Sequence, residues 1–232
     1  MSNTSNGPGE KGSKKWMQFV ANDEACQKQL NRAMSGKQEL IWISPRAGEN
    51  YAEYKLNQEK MLEWLNIIDK DMANEVFSFW PKQQSQWDGI AVTKDWKDYY
   101  LIEAKAHLSE VNTPRKFLVP GSSQGKLEND ELILKSMKEA YDALSDGGDF
   151  ENWKSKYYQL ANRLTFMYFL NKSPFLKDKR FHIVLLNFVN DLDYKPTSKT
   201  EWEEHYKDIW ADMIGKAPVP EYVQLIYWDL KE

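Results

Sequence analysis

Asp88, Glu103 and Lys105 are the residues whose types and spacing point to chemistry. Residues 98–107 (DYYLIEAKAH) read as a β-strand, so side chains alternate between its faces. Leu101, Glu103 and Lys105 then share one face, and Tyr100, Ile102 and Ala104 the other. Alternate residues stand roughly 7 Å apart, so a carboxylate and an ammonium project side by side from an apolar strand. Burying such groups costs several kcal/mol per ion unless they are well paired, which makes a purely structural role uneconomical. A solvent-facing ion pair on an edge strand is the ordinary alternative. Asp88 lies near the start of the preceding strand, residues 86–93 (QWDGIAVT), and a hairpin would bring it to Glu103. Two carboxylates from adjacent strands form a hard oxygen site for Mg²⁺ or Mn²⁺, which keeps part of its water. Such a metal acidifies a bound water and stabilises charge on phosphoryl oxygens. Lys105 would orient that water and offset the developing charge.

The elements that must position these residues follow from periodicity. Residues 16–34 read as an amphipathic helix and 40–43 as a short apolar run. Residues 49–71 read as a strong helix, with Tyr54, Met61, Leu65 and Ile68 on one side and Glu53 at the flank of that stripe. Strands are expected at 76–80, 86–93 and 98–107, and a long loop at 112–130. Helices follow at 131–144 and 153–170, then a continuous apolar strand at 181–189, a helix at 201–213 and a strand at 223–228. This order predicts an α/β fold, a mixed central sheet flanked by helices, in a single domain over 15–232. Residues 1–14, rich in Gly, Ser, Asn and Lys, read as a disordered tail.

The stretch Asp88-Gly-Ile-Ala … Tyr-Leu-Ile-Glu103-Ala-Lys105 resembles the PD-(D/E)XK nuclease superfamily, the restriction-endonuclease-like proteins. The resemblance spans roughly residues 49–190 when element order is included. It implies a restriction-endonuclease-like sheet and a metal-dependent nuclease, with Asp88 as the first carboxylate and Glu103 and Lys105 as the paired carboxylate and lysine. It also implies a glutamate from the helix before the hairpin; Glu53 is the first choice and Glu49 the second. Asp88, Glu103 and Glu53 are then the ligands of Mg²⁺ or Mn²⁺. Gln159, on a downstream helix, is a possible positioning residue, and Arg163 could reach the same residues or a phosphate. Trp87 departs from the family pattern, which has Pro before the aspartate. The implied partner is nucleic acid, DNA first. The alternative is a non-catalytic nucleic-acid-binding or protein-interaction module on the same fold.

Composition bounds these readings. The 232 residues are 41% apolar and 14% aromatic, enough for one substantial core. A net charge of −4 argues against strong non-specific binding to nucleic acid, although cations can neutralise an acidic cleft. Cys26 is the single cysteine, which excludes a Cys-rich zinc site and an internal disulfide. His107, His182 and His205 have no ligand spacing, although His107 continues the Lys105 face. No apolar run approaches membrane-spanning length, so a cytoplasmic protein is expected. Residues 151–180 are the most basic segment, suited either to a phosphate backbone or to a solvated surface. Arg115, Lys116, Gln124 and Lys126 in the long loop could also reach substrate. Cutting two strands in concert would need a dimer, for which the sequence carries no signal.

Overall fold

Strands rich in Val, Ile, Tyr and Leu pair into one sheet, and its strand order decides where the charged strand lies. In the computed structural model, which describes residues 7–231, the strands are β1 (Leu40–Ser44), β2 (Gly89–Thr93), β3 (Asp98–Lys105), β4 (Arg180–Val189) and β5 (Val223–Asp229). They pair in the order β1-β2-β3-β4-β5. The first three form an antiparallel meander, and β4 and β5 extend it in parallel. β3 is therefore central and fully buried, so Glu103 and Lys105 are not an edge-strand pair facing solvent. Gly89 pairs with Ile102, and one further step of that register sets Asp88 across from Glu103.

The α-helices are α1 (Gly12–Val20), α2 (Glu24–Ser35), α3 (Glu59–Trp64), α4 (Lys70–Val76), α5 (Gln124–Leu144), α6 (Phe150–Lys154), α7 (Tyr158–Lys172) and α8 (Lys199–Ile214). They cover both faces of the sheet, giving an α/β architecture with an open mixed sheet. Tyr99, Leu101, Ile183 and Leu185 pack in one core with Met137, Leu164, Phe166 and Met213 from α5, α7 and α8. Tyr100, Ile102, Ala104 and Leu186 pack in a second core with Met17, Val20 and Leu30 from α1 and α2. Among the described residues no helix is long and apolar enough to cross a membrane.

Several expected elements change. The helix expected over 49–71 does not form. Asn50, Tyr51 and Asn66 take left-handed backbone, and only α3 and then α4, capped by Asp69, are helical. Glu53 consequently sits on an extended segment, not a helix, with neighbouring Tyr54 bridged to Trp87. The strand expected at 76–80 is the end of α4 and a turn; its apolar run serves the core, with Val76, Phe77, Phe79 and Trp80 buried. The long helices expected at 16–34 and 153–170 are each two helices, broken before Asp23 and after Lys154. The loop expected to run to 130 ends where α5 begins at Gln124. Of the expected tail, positions 1–6 lie outside the described residues. α1 already begins at Gly12, and Gln18 bonds Gly9 N at 2.7 Å and Gly7 O at 3.1 Å.

Asp98 locks the start of β3 to β4. Its carboxylate accepts bonds from Arg180 Nε (2.6 Å) and Nη2 (2.5 Å) and lies 2.8 Å from His182 Nε2. Burial alone would raise its pKa, but the bonds from Arg180 and His182 outweigh burial and hold it below the usual carboxylate value. A depressed folded pKa gives stability that is present above the unfolded value and lost as pH falls through the folded one. Unfolding in urea should therefore lose about 1 kcal/mol from this group on acidification below about pH 4, a small figure because Arg180 is half exposed. Asp98→Asn should flatten that part of the pH–stability curve, and an unchanged slope in the variant would show that the lock contributes nothing.

Candidate active site

β3 carries Glu103 and Lys105 to the face covered by α7, and α7 supplies their partners. Gln159 and Arg163 stand four residues apart, so they lie one above the other on the same side of the helix. Lys105 Nζ donates to Glu103 Oε1 at 2.5 Å and to Gln159 Oε1 at 2.9 Å. Arg163 Nε donates to Glu103 Oε2 at 2.7 Å. Both oxygens of Glu103 are thus held by cations, in a residue only 3% exposed. Arg163, also 3% exposed, donates from Nη2 to the Gln86 carbonyl at 2.8 Å, and its guanidinium lies 4.2 Å from the Trp87 ring centre. Asn162 is buried beside it, so the polar stripe of α7 does not face solvent.

Asp88 joins from the entry to β2. Its Oδ2 accepts the backbone N–H of Ala104 at 2.8 Å, so the carboxylate is fixed to β3 between Glu103 and Lys105. Glu53 is held nearby through its backbone, whose carbonyl accepts from Gln86 Nε2 at 3.1 Å. The start of α7 is anchored in turn, with Gln159 N donating to Thr113 Oγ1 at 2.9 Å. Glu103, Lys105, Gln159, Val111, Leu185 and Tyr206 line a space of about 10 Å³, the lower limit for one water.

The electrostatics separate the two central carboxyls. Burial, then the Glu103 charge, push Asp88 up to about 7, against the pull of Lys105, the Ala104 N–H and Arg163. Burial also works against Glu103, but Arg163 and Lys105 overcome it and keep its pKa low. Lys105 stays charged in its enclosed position, because Glu103 and Asp88 outweigh the cost of burial. Burial raises Glu53; the Lys14 charge lowers it and the Glu103 charge raises it further. Two groups with pKa values pushed apart are what acid–base chemistry requires.

Other expected contributors lie elsewhere. Glu49 is engaged by Lys60 and the Tyr54 hydroxyl. His107 turns back to Ser109, with Nδ1 2.8 Å from its hydroxyl. Arg115 is tied to buried Asp130 at 2.7 Å, and Gln124 bonds Glu128 along α5. Much of the basic segment is engaged in ion pairs: Lys154 with Glu151, Lys156 with Asp212, Lys172 with Glu139 and Arg180 with Asp98. A cleft of about 790 Å³ between α3 and α4, lined by Leu62, Ile67, Phe77 and Trp80, contains none of the candidate residues. What the sequence did not reveal is the part of Trp87, whose ring supports Arg163; an aromatic beside a motif carboxylate is the signal that could have suggested it.

Asp88 and Glu103 offer hard oxygens of the type Mg²⁺ takes from one or two carboxylates while keeping its waters. Among the described residues, no group of three or more His, Cys, Asp or Glu is placed to hold a metal. The set on offer is therefore two carboxylates, and a cation there would share Glu103 with Lys105 and Arg163. No family model, curated protein or solved structure matches the chain.

A raised folded pKa at Asp88 means that ionising this group destabilises the fold as pH rises from the unfolded value, near 4, to about 7. Asp88→Asn keeps an acceptor for the Ala104 N–H, and without metal it should stabilise the protein at about pH 8 by on the order of 1–2 kcal/mol, with no gain near pH 4. Arg163→Leu should do the opposite, costing about 3 kcal/mol because Glu103 stays buried with one cation fewer. Urea unfolding of both variants at the two pH values checks the pair. A destabilised Asp88→Asn at the higher pH would contradict the charge balance described.

Proposed function

We infer that this chain is a metal-dependent nuclease that hydrolyses phosphodiester bonds of nucleic acid, with DNA the first expected substrate, on a restriction-endonuclease-like fold. The observation that carries the reading is the buried Lys105–Glu103 contact on a central strand, with Asp88 fixed to the same strand by the Ala104 N–H. Support for the fold comes from an antiparallel meander that continues into a parallel strand, flanked by helices on both faces.

Asp88 and Glu103 would hold Mg²⁺ or Mn²⁺, with Glu53 beside them as an accessory carboxylate. When bound, such an ion supplies an acidified water and charge stabilisation at the phosphoryl group. The chain's own residues do the rest. Lys105, charged and held by Gln159, offers its ammonium to the attacking water or to a phosphate oxygen. Arg163 keeps Glu103 ionised and aimed, while Trp87 and the Gln86 carbonyl keep Arg163 in place. Gln159 positions Lys105 and does not itself titrate.

One observation favours a second reading, a non-catalytic nucleic-acid-binding or protein-interaction module: both oxygens of Glu103 are already bonded to cations. Cleavage assays on single- and double-stranded DNA and on RNA, with Mg²⁺, Mn²⁺ or EDTA, separate the two. The nuclease reading expects cutting that EDTA abolishes and that Lys105→Ala lowers by about 10²- to 10⁴-fold. Activity equal in Lys105→Ala, or surviving EDTA, sinks the mechanism. Binding without metal-dependent cutting supports the module.

A further inference from the structure

The two edges of the sheet are unlike. β1 is five residues long and its pairing with β2 shifts register between Trp42 and Ser44, the kind of irregularity that discourages strand addition. β5 is a regular seven-residue strand, VQLIYWD, with no proline and no charge before its last residue. Among the described residues nothing pairs with its outer side, and all its residues are half-buried. An edge that is long, regular and apolar is the kind that natural proteins normally blunt or pair.

Its backbone orientation fixes how it could be paired. Ile183 N donates to Tyr222 O, and Leu230 N donates to Val189 O, so the even-numbered residues turn their backbone groups toward β4. In a parallel strand the alternate residues then point outward. Those are Val223, Leu225, Tyr227 and Asp229. A two-fold antiparallel pairing centred on Ile226 sets Leu225 against Tyr227 and Val223 against Asp229 of a second copy. This register uses all four outward residues, apart from the Val223 N–H already given to Pro220 O. It keeps each side chain on its own layer, because Leu225 and Tyr227 both pack toward α8 while Ile226 and Trp228 pack toward α1 and α2. It also leaves Glu221 and Lys231 of the second copy, each just beyond its own strand, at the same end of the contact, twice by symmetry. The edge is therefore complementary to itself in hydrogen bonds, in layer and in charge.

We propose that β5 is a homodimer interface, in which two copies join edge to edge, antiparallel about Ile226, into one continuous sheet. A closed two-fold contact of this kind satisfies the open edge and stops, instead of propagating. The proposal does not rest on the catalytic reading.

Sedimentation velocity of the full chain from about 1 to about 100 µM should show a monomer–dimer equilibrium. Lys231→Glu places like charges at the same end of the contact and should weaken dimerisation on the order of tenfold, as should Glu221→Lys, while the double exchange restores it. Both positions lie outside the strand, so circular dichroism should be unchanged. In a Cys26→Ser background, Ile226→Cys should give a disulfide-linked dimer under mild oxidation, because a non-hydrogen-bonded pair brings its β-carbons closest. A chain monomeric throughout that range overturns the proposal. So does a dimer indifferent to the charge exchange and not trapped by the cysteine at 226, since its contact must lie elsewhere.

Discussion

The buried carboxylate of Glu103 is the constraint around which the rest of the structure is organised. An ionised carboxylate in the middle of a sheet costs several kcal/mol unless its oxygens are satisfied by charge and hydrogen bonds. Lys105 takes one oxygen and Arg163 the other. Arg163 can do so only because Trp87 and the Gln86 carbonyl hold its planar group, and Lys105 only because Gln159 shares its ammonium. Three segments are thus pinned to one side chain: the entry to β2, β3 itself and the first two turns of α7.

That arrangement also explains the unequal carboxyls. Two cations already neutralise Glu103, so little attraction is left for Asp88, and burial with the nearby Glu103 charge raises its pKa. A site whose local charge is balanced in this way can sit in an acidic chain without a basic surface. Lys154, Lys156 and Lys172, in the most basic segment, are spent on surface ion pairs. On the proposed reading, substrate attraction would come from the site and a cation bound there and not from a field over the whole molecule.

Much of the fold was legible where a pattern was local and repetitive. The alternation in β2 and β3, the continuous apolar run of β4, α8 and β5 all lie close to where periodicity placed them, and α5 ends as expected at Leu144 although it begins earlier, at Gln124. Legibility failed where an apolar stripe was bought with irregular backbone. Residues 49–71 carry helical spacing, yet Asn50, Tyr51 and Asn66 turn left-handed, and the stripe is buried by turns and a short helix. The apolar run at 76–80 fails similarly: it reaches the core from a helix end and a turn.

The sequence by itself determined which groups share a face: strand alternation made Glu103 and Lys105 neighbours, and helical spacing put Gln159 and Arg163 on one side of α7. It also brought Asp88 into range through a hairpin. Only the tertiary structure decided that β3 is a central strand, which turns a plausible surface pair into a buried one, and that α7 lies across it, which supplies the second cation. It also moved Glu53 from a helix to an extended segment beside Trp87. The reason is physical: periodicity is a property of neighbours along the chain, whereas strand order, burial and charge pairing depend on contacts between residues far apart in sequence, 60 positions for Arg163 and Glu103.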